Sequence, residues 1–379
     1  MSIKIVNDFN EKKIYSAFDN IIIEFKLSNE ISGKVKLAKV FGLGIDIELS
    51  PSPNDVLYFN FKKYSTSYIS ENQLIDYINY FGETSKSDDE FLKSFYVRFE
   101  IHLEEDEIFT KYILLNFSRA VFDKDRFKNY LFVEPGHQIE YEAKQIYFFP
   151  GYPLEIGVFT KELETAFLQT EYTRNSSNSI QININELNFG NQFNRVVLSD
   201  GYYNLRSENG SDLMQNIKEI YINDVSDLDF TVKVYDIIKF KNCSGHYLKW
   251  LNRSGDYSYF LFSNYYEEDI DTDSLGSINN DYSNNDYSIS RNISKGKESE
   301  RSMTLFKKGV NRKMRYHLSD LIDSPRVYYY TGKKDSQSSK YDWTLVEITE
   351  KSLQINRPKE DIFNLYLGIK FENYKNQII

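Results

Sequence analysis

The sequence predicts a mainly β protein built of antiparallel β-sandwich domains with a few short helices, and three observations predict it. Runs alternating apolar and polar residues recur along the whole chain. Tyr and Phe are abundant, 31 and 28 in 379 residues, against 4 Met and 2 Trp. Turn residues punctuate the runs at short intervals. Alternation sends one set of side chains to a core and the other to water, the half-buried antiparallel pattern. Flat, rigid rings pack well on a pleated surface.

Taken in order, Ile21 to Leu27 mixes an apolar start with alternation, and Ile45 to Leu49 is strictly period two. Val56 to Phe61, Phe95 to Leu103 and Ile180 to Asn185 repeat the signal. It continues in Phe230 to Tyr235, Tyr257 to Phe262, Val327 to Tyr330, Trp343 to Thr349 and Leu365 to Phe371. Asp200-Gly201, Asn209-Gly210, Ser254-Gly255-Asp256 and Thr331-Gly332 read as turns. Helical spacing is sparse: Asn72 to Phe81, a short piece over Lys161 to Leu168, and Arg315 to Ile322 stopped by Pro325. Many short strands with few helices favour sandwiches over a parallel α/β core. The polar stretch Thr170 to Ser179 marks a divide, giving an N-terminal β-rich domain over 1–165 and a C-terminal β-sandwich domain over 166–379. Within the second, 269–297 carries Asp, Asn, Ser and Gly with isolated Tyr. It reads as a long exposed polar loop, the kind that marks a contact surface.

Apolar residues make up 41% of the chain, enough to bury a core. The formal charge of −10 is dispersed and no basic stripe stands out, which argues against gripping nucleic acid. The single Cys243 excludes an intramolecular disulfide. No run approaches the ~20 apolar residues of a membrane helix. Met1 to Asp8 lacks an apolar leader core, so synthesis inside the cell is expected.

Candidate chemistry is thin. Cys243 and His246 could supply two metal ligands where a structural zinc site needs four. Gly42-Leu43-Gly44 lacks the third glycine of a dinucleotide loop. Asp269-Ile270-Asp271-Thr272-Asp273 resembles the start of a calcium loop, but Ser274 and Asn280 stand where glycine and glutamate belong. Glu104 to Glu107 and Glu267 to Asp269 read as solvated acidic faces rather than glycosidase pairs. No catalytic residue, cofactor or metal ligand is assigned, and the chain is expected not to be an enzyme.

Three stretches carry a resemblance. Gly245 to Phe262 has a strand, an Asn252-x-x-Gly255 turn and an aromatic strand, a hairpin across which Trp250 could pair with Tyr259 or Phe260. Leu305 to Gly309, then Leu318 to Tyr328 with its Ser324-Pro325-x-Val327, then Trp343 to Ile348, follow one another as strand, short helix and two strands. Tyr147 to Phe159 is a proline-containing link entering a strand. In this order they resemble virion structural proteins of tailed phages and prophages of Bacteroidetes hosts, the crAss-like phages among them. Ala17 to Ile22 is similar to that family's N-terminal strand, with Asn20-Ile21 where Asn-Pro is the pattern. The resemblance implies a tail or neck subunit located in the virion, made in the host cytoplasm. It would form a ring-like homo-oligomer and connect neighbouring tail or neck proteins, without membrane or sequence-specific nucleic-acid partners.

The candidate interface residues are Tyr247, Trp250, Asn252, Tyr257 and Tyr259 on the hairpin, Tyr265 and Tyr266 after it, and Tyr282 and Tyr287 in the polar loop. Tyr is enriched at interfaces. A carbohydrate- or receptor-binding module is the alternative, with Trp250 and Trp343 as stacking candidates, although a core role is the favoured expectation for each.

Overall fold

The computed structural model describes residues 3–11, 14–28, 31, 33–42, 44–52, 54–71, 85–87, 92–119, 144–160, 166–170, 182–183, 192–200, 214, 219–224, 231–241, 244–253, 255–279, 292–332, 343–350, 362–372 and 374–375. The fold is mainly β, with two helices among the described residues. Contacts divide it into two compact units. One comprises Met1–Ile146, Pro153–Ile238 and Asn252–Tyr257; the other comprises Tyr147–Tyr152, Lys239–Leu251 and Ser258–Ile379. The chain passes between them more than once, so the division is not a single cut.

The first unit opens with β1 (Ile3–Ile5), β2 (Ile14–Ser16), β3 (Ile22–Leu27), β4 (Val35–Gly42), β5 (Ile45–Leu49), β6 (Leu57–Asn60), α1 (Lys62–Glu71), β7 (Ser85–Ser87), β8 (Leu92–Leu103) and β9 (Ile108–Ser118). A three-stranded sheet, β1-β3-β6, and a five-stranded sheet, β2-β9-β8-β4-β5, make a sandwich. Among the described residues its strands pair antiparallel, except that β2 runs parallel to β9. Alternation does the sorting. Ile23 and Phe25 of one sheet meet Val97, Phe99, Ile101 and Leu103 of the other in one buried cluster. The Phe25 and Phe99 rings lie 4.5 Å apart between the sheets. In β4 the register shifts between Val35 and Leu37. That bulge lets Val35 and then Ala38 and Val40 all face the core despite opposite parity.

Helix α1 sets Tyr64, Tyr68 and Ile69 against the core and is also tied by hydrogen bonds. Asn60 Oδ1 accepts from Lys62 N (3.0 Å), and the Ser65 and Thr66 hydroxyls both donate to Ala17 O at 2.8 Å. Buried Asn116 spans the larger sheet, donating to Glu11 O (2.8 Å) and accepting from Ser94 Oγ (2.7 Å).

The unit continues with β10 (Lys144–Phe148), whose Tyr147 and Phe148 belong to the second unit, β11 (Pro153–Thr160), β12 (Ala166–Thr170), β13 (Ile182–Asn183), β14 (Gln192–Asp200), β15 (Glu219–Asp224) and β16 (Thr231–Lys239), whose Lys239 belongs to the second unit too. They form sheets β10-β16-β15-β12-β13 and β11-β14-β7. Ala166 to Leu168 are thus strand, not the end of the helix expected over Lys161 to Leu168: pairing of Ala166 with Asp224 and Leu168 with Ile222 prevails over weak local helix preference. The helix expected over Asn72 to Phe81 lies outside the described residues. Inside β11-β14, Arg195 and Glu155 form a buried ion pair of 2.6 Å. Tyr257 places its ring 4.9 Å from the Arg195 guanidinium, and Asp256 Oδ2 accepts from Gly157 N at 3.0 Å.

The second unit holds β17 (Gly245–Leu251), β18 (Tyr257–Ser263), β19 (Tyr266–Ser274), β20 (Ser277–Asn279), β21 (Asn292–Ser294), β22 (Lys297–Val310), α2 (Arg312–Ile322), β23 (Val327–Tyr330), β24 (Trp343–Ile348), β25 (Phe363–Phe371) and β26 (Tyr374–Lys375). Its main sheet runs β18-β17-β23-β24-β25-β22-β19, with β26 also on β22. Ser263 Oγ donates to Phe306 O (2.6 Å) and Lys307 Nζ to Leu261 O (3.3 Å). The sheet therefore curls until β18 meets β22. Helix α2 is the one expected near Arg315 to Ile322. Asn311 caps it through Met314 N (2.9 Å), and Arg315, Leu318, Ser319 and Leu321 give it a buried stripe.

Candidate assembly interface

The expected hairpin is present as β17 and β18. Its turn closes by Asn252 N to Asp256 O (2.7 Å), Gly255 N to Asn252 O (3.0 Å) and Asp256 N to Asn252 Oδ1 (3.2 Å), with Gly255 at φ 76°. That is the Asn-x-x-Gly pattern with glycine supplying the left-handed residue. Gly245 serves another purpose: a Cβ there would stand 1.9 Å from Phe262 O.

The five hairpin residues expected at an interface are buried instead: Tyr247, Trp250, Asn252, Tyr257 and Tyr259. The chain's own residues cover both faces of this hairpin. Trp250 lies against His317 of α2 at 5.3 Å. Tyr247 stacks on Tyr259 at 5.9 Å, so this is the ring pair found where Trp250 was expected to take part. Tyr152, Tyr330 and Trp343 close over that pair at 4.8–6.2 Å from Tyr247. Trp250 is accordingly core and offers no sugar platform. Trp343 is only partly covered, and it sits 5.1 Å from the Tyr330 ring and 4.5 Å from Lys249 Nζ.

Tyr265 and Tyr266 are exposed, at 62% and 42%. Tyr282 and Tyr287 lie outside the described residues, as does Cys243. The remaining expectation, a loop over 269–297, is overturned in its described parts. Tyr266 to Ser274 pair one to one with Leu305 to Lys297, and Ser277 to Asn279 pair with Ser294 to Asn292. The segment is a long antiparallel arm. It is ordered because β22, held on its other side by β25 between Ser302↔Lys370 and Val310↔Phe363, offers a ready strand edge. The tract needs no core of its own.

All nine residues of β19 are exposed, and β19 is the last strand of its sheet. The period of two sorts its side chains. One face carries Glu267, Asp269, Asp271 and Asp273, with Asp271 opposite Glu300 and Asp273 opposite Glu298. Lys370, one strand inward, binds Glu300 at 2.7 Å, and this hydrogen bond holds the Lys370 ammonium above its ordinary pKa. The other face carries Glu268, Ile270 and Thr272, with Arg301 ion-paired to Glu268 and 4.8 Å from the Phe371 ring. At the arm's base His246 Nδ1 lies 2.8 Å from Tyr329 OH and its ring 4.4 Å from Tyr266. Burial lowers the His246 pKa, with the hydrogen bond to the Asn264 backbone and the Glu268 charge opposing it. Burial raises that of Tyr329. A neutral imidazole bound to Asn264 leaves Nδ1 to accept the tyrosine proton.

Asp269, Asp271 and Asp273 therefore stand in line along a strand rather than around a loop. Among the described residues no group of three or more His, Cys, Asp or Glu is placed to hold a metal ion, and no helix is long and apolar enough to cross a membrane. The acidic rank and its partners Glu298 and Glu300 were not expected as a unit. The signal that could have found them is the strict Asp-x-Asp-x-Asp spacing, which is a strand's spacing as much as a calcium loop's.

No family of known proteins matches the chain, and no curated protein does. Among solved structures it is similar to one from work on host cell surface retention of a 1.5-MDa bacterial ice-binding adhesin, at 9% identity over 62% of this chain and 64% of that chain, TM-score 0.20. It is also similar to the Bacteroides ovatus mixed-linkage glucan utilization protein SGBP-B in complex with a mixed-linkage heptasaccharide, at 9% identity over 72% of this chain and 64% of that one, TM-score 0.17. The chain thus spans 64% of the length of each. Likeness this slight carries no argument about function.

Proposed function

We propose that the chain is a non-enzymatic structural subunit of a phage tail or neck, joined to its neighbours in a ring by the arm of β19 to β22. The observation that carries this is the arm: nine consecutive strand residues, Tyr266–Ser274, are exposed on both faces. An edge strand exposed on both faces contributes little to the core of its sheet and is suited to pairing with another chain. The tail assignment itself rests on the sequence resemblance over 245–262 and 305–348. A head-to-tail contact that closes by rotation gives a ring.

Light scattering on the purified chain tests it. A discrete multimer of about six or twelve copies, the counts the phage-tail resemblance suggests for a closed head-to-tail ring, is expected, together with the protein's presence in purified particles and a fall to monomer when 269–302 is replaced by a tight turn. A monomer that is also missing from particles ends the proposal. A glycan-binding reading is favoured by one observation, the part-exposed Trp343 beside Tyr330 and Lys249. A glycan array with hits abolished by Trp343→Ala would move the assignment there; hits unchanged by that substitution, or none, would remove it.

A further inference from the structure

We infer that the outer edge of β19, which no other strand pairs among the described residues, takes up an extended segment of a basic partner protein as an added strand, with Lys or Arg at alternate positions facing Asp269, Asp271 and Asp273. This rests on the reading of the arm as an assembly element. β19 pairs with β22 along its whole length and closes its sheet on that side. The outward amides and carbonyls of such a strand form a template for another chain.

Charge decides what that chain can be. Across one face of the sheet, moving toward the edge, the charges run basic, acidic, acidic, open. Lys370 binds Glu300, and Glu300 stands opposite Asp271. Lys375 occupies the register position beside Glu298, and Glu298 stands opposite Asp273. Directly opposed like charges destabilise a pair of strands. The arm carries two such pairs, Asp271 with Glu300 and Asp273 with Glu298, and a cation in the next position outward relieves both.

A second copy of the same edge cannot supply it. Antiparallel self-pairing of β19 would set its acidic rank against an identical one, and each chain carries −10. The rank therefore blocks arm-to-arm pairing while admitting a basic strand. On the opposite face the added strand would lie beside Ile270 and Thr272, where β-branched side chains pack best. The segment that fits alternates basic with β-branched residues over about nine positions, the length of the exposed edge.

Fluorescence anisotropy with the full-length protein tests this, using a labelled nine-residue peptide of alternating lysine and threonine. Two controls accompany it: the same composition with the lysines in one block, and the alternating peptide methylated on every backbone nitrogen. The alternating peptide is expected to bind at least tenfold tighter than either control. It should slow amide exchange across 266–274 and lose at least tenfold in affinity in the exposed double variant Asp271→Lys, Asp273→Lys. Equal binding of all three peptides means ion exchange without strand pairing and overturns the inference, as does no binding. Light scattering on the same sample separates the two ideas. A ring that ignores the peptide refutes the inference alone, and a peptide-binding monomer absent from particles refutes the ring reading alone.

Discussion

Replacing Tyr147 by Phe should stabilise the protein. Tyr147 is 1% exposed, its hydroxyl has no hydrogen-bond partner among the described residues, and its ring packs 4.7 Å from His317 and 5.5 Å from Phe260. Phe keeps the ring contacts and removes the stranded hydroxyl. Burying a hydroxyl unbonded costs roughly 1–3 kcal/mol in protein series. Allowing for relaxation, the gain at pH 7 should be about 1–2 kcal/mol, or roughly 3 °C in Tm per kcal/mol for a unit of this size. Burial also pushes the Tyr147 pKa up from 10.0 to about 12. The sign follows from proton counting. Between those values the unfolded chain has lost the proton and the folded one keeps it, so stability is full below about 10 and declines as pH rises toward 12. The discrimination is on the order of 2–3 kcal/mol. The Phe variant lacks that decline, so its advantage should widen across the interval. Urea titrations of both proteins at pH 7, 10 and 11.5 read this directly, as a midpoint shift at constant slope. A variant less stable than wild type at pH 7, or a difference that stays flat with pH, would show that the hydroxyl is satisfied and the reasoning wrong.

Other substitutions follow from the same geometry. Glu155→Gln leaves the Arg195 guanidinium buried without its counter-charge and should cost about 3–5 kcal/mol in urea unfolding, whereas Glu155→Met with Arg195→Leu should recover most of it; a cost under about 1 kcal/mol for the single variant would refute the pair's importance. Gly245→Ala forces a Cβ onto Phe262 O and should abolish soluble expression or lower Tm by more than 10 °C, an effect of more than about 3 kcal/mol, while Gly276→Ala meets nothing within 4 Å and should cost about 1 kcal/mol through its positive φ alone. For His246, a pKa lowered by burial means the unfolded chain takes up a proton first as pH falls below about 6.5. Stability from this group is full above that value and declines as pH falls below it, and this fall in Tm should shrink in His246→Phe.

How far the fold can be read from the sequence depends on whether burial is one-sided. Ile45 to Leu49 and Val327 to Tyr330 match β5 and β23 residue for residue, and Phe95 to Leu103 lies within β8. Each has an alternation that tertiary structure merely enforces. β4 was illegible because its bulge shifts the apolar parity between Val35 and Ala38, so no single period fits Val35–Gly42. Helix α1 was missed for a different reason. Lys62–Glu71 contains three Ser and a Thr, poor helix formers, and what helps to hold it are the Ser65 and Thr66 hydroxyls on Ala17 O, contacts 48 and 49 residues distant in sequence. Helix α2 was legible because its apolar stripe and Asn311 cap are both local.

The five hairpin candidates are buried for an instructive reason. Tyr247, Tyr257 and Tyr259 were chosen for residue type, yet a tyrosine in an alternating aromatic hairpin is placed by what covers the hairpin, and here Trp343, Tyr330 and Tyr152 cover Tyr247. The acidic tract failed the opposite way. Its lack of apolar residues was read as a loop, but a strand added to an existing edge obtains its order from backbone pairing and needs no buried face. Composition reports whether a segment can fold alone; it does not report whether a neighbouring strand is waiting for it. Met303 and Leu305, both buried, anchor β22 in the curled sheet. From that anchor the pairing continues out to Lys297↔Ser274, with buried Ser299 and the β26 pairing at Glu298 and Ser299 supporting β22 from its other side. On the proposed reading, aspartate at every second position repels pairing between two β19 edges while leaving that edge open to a basic strand.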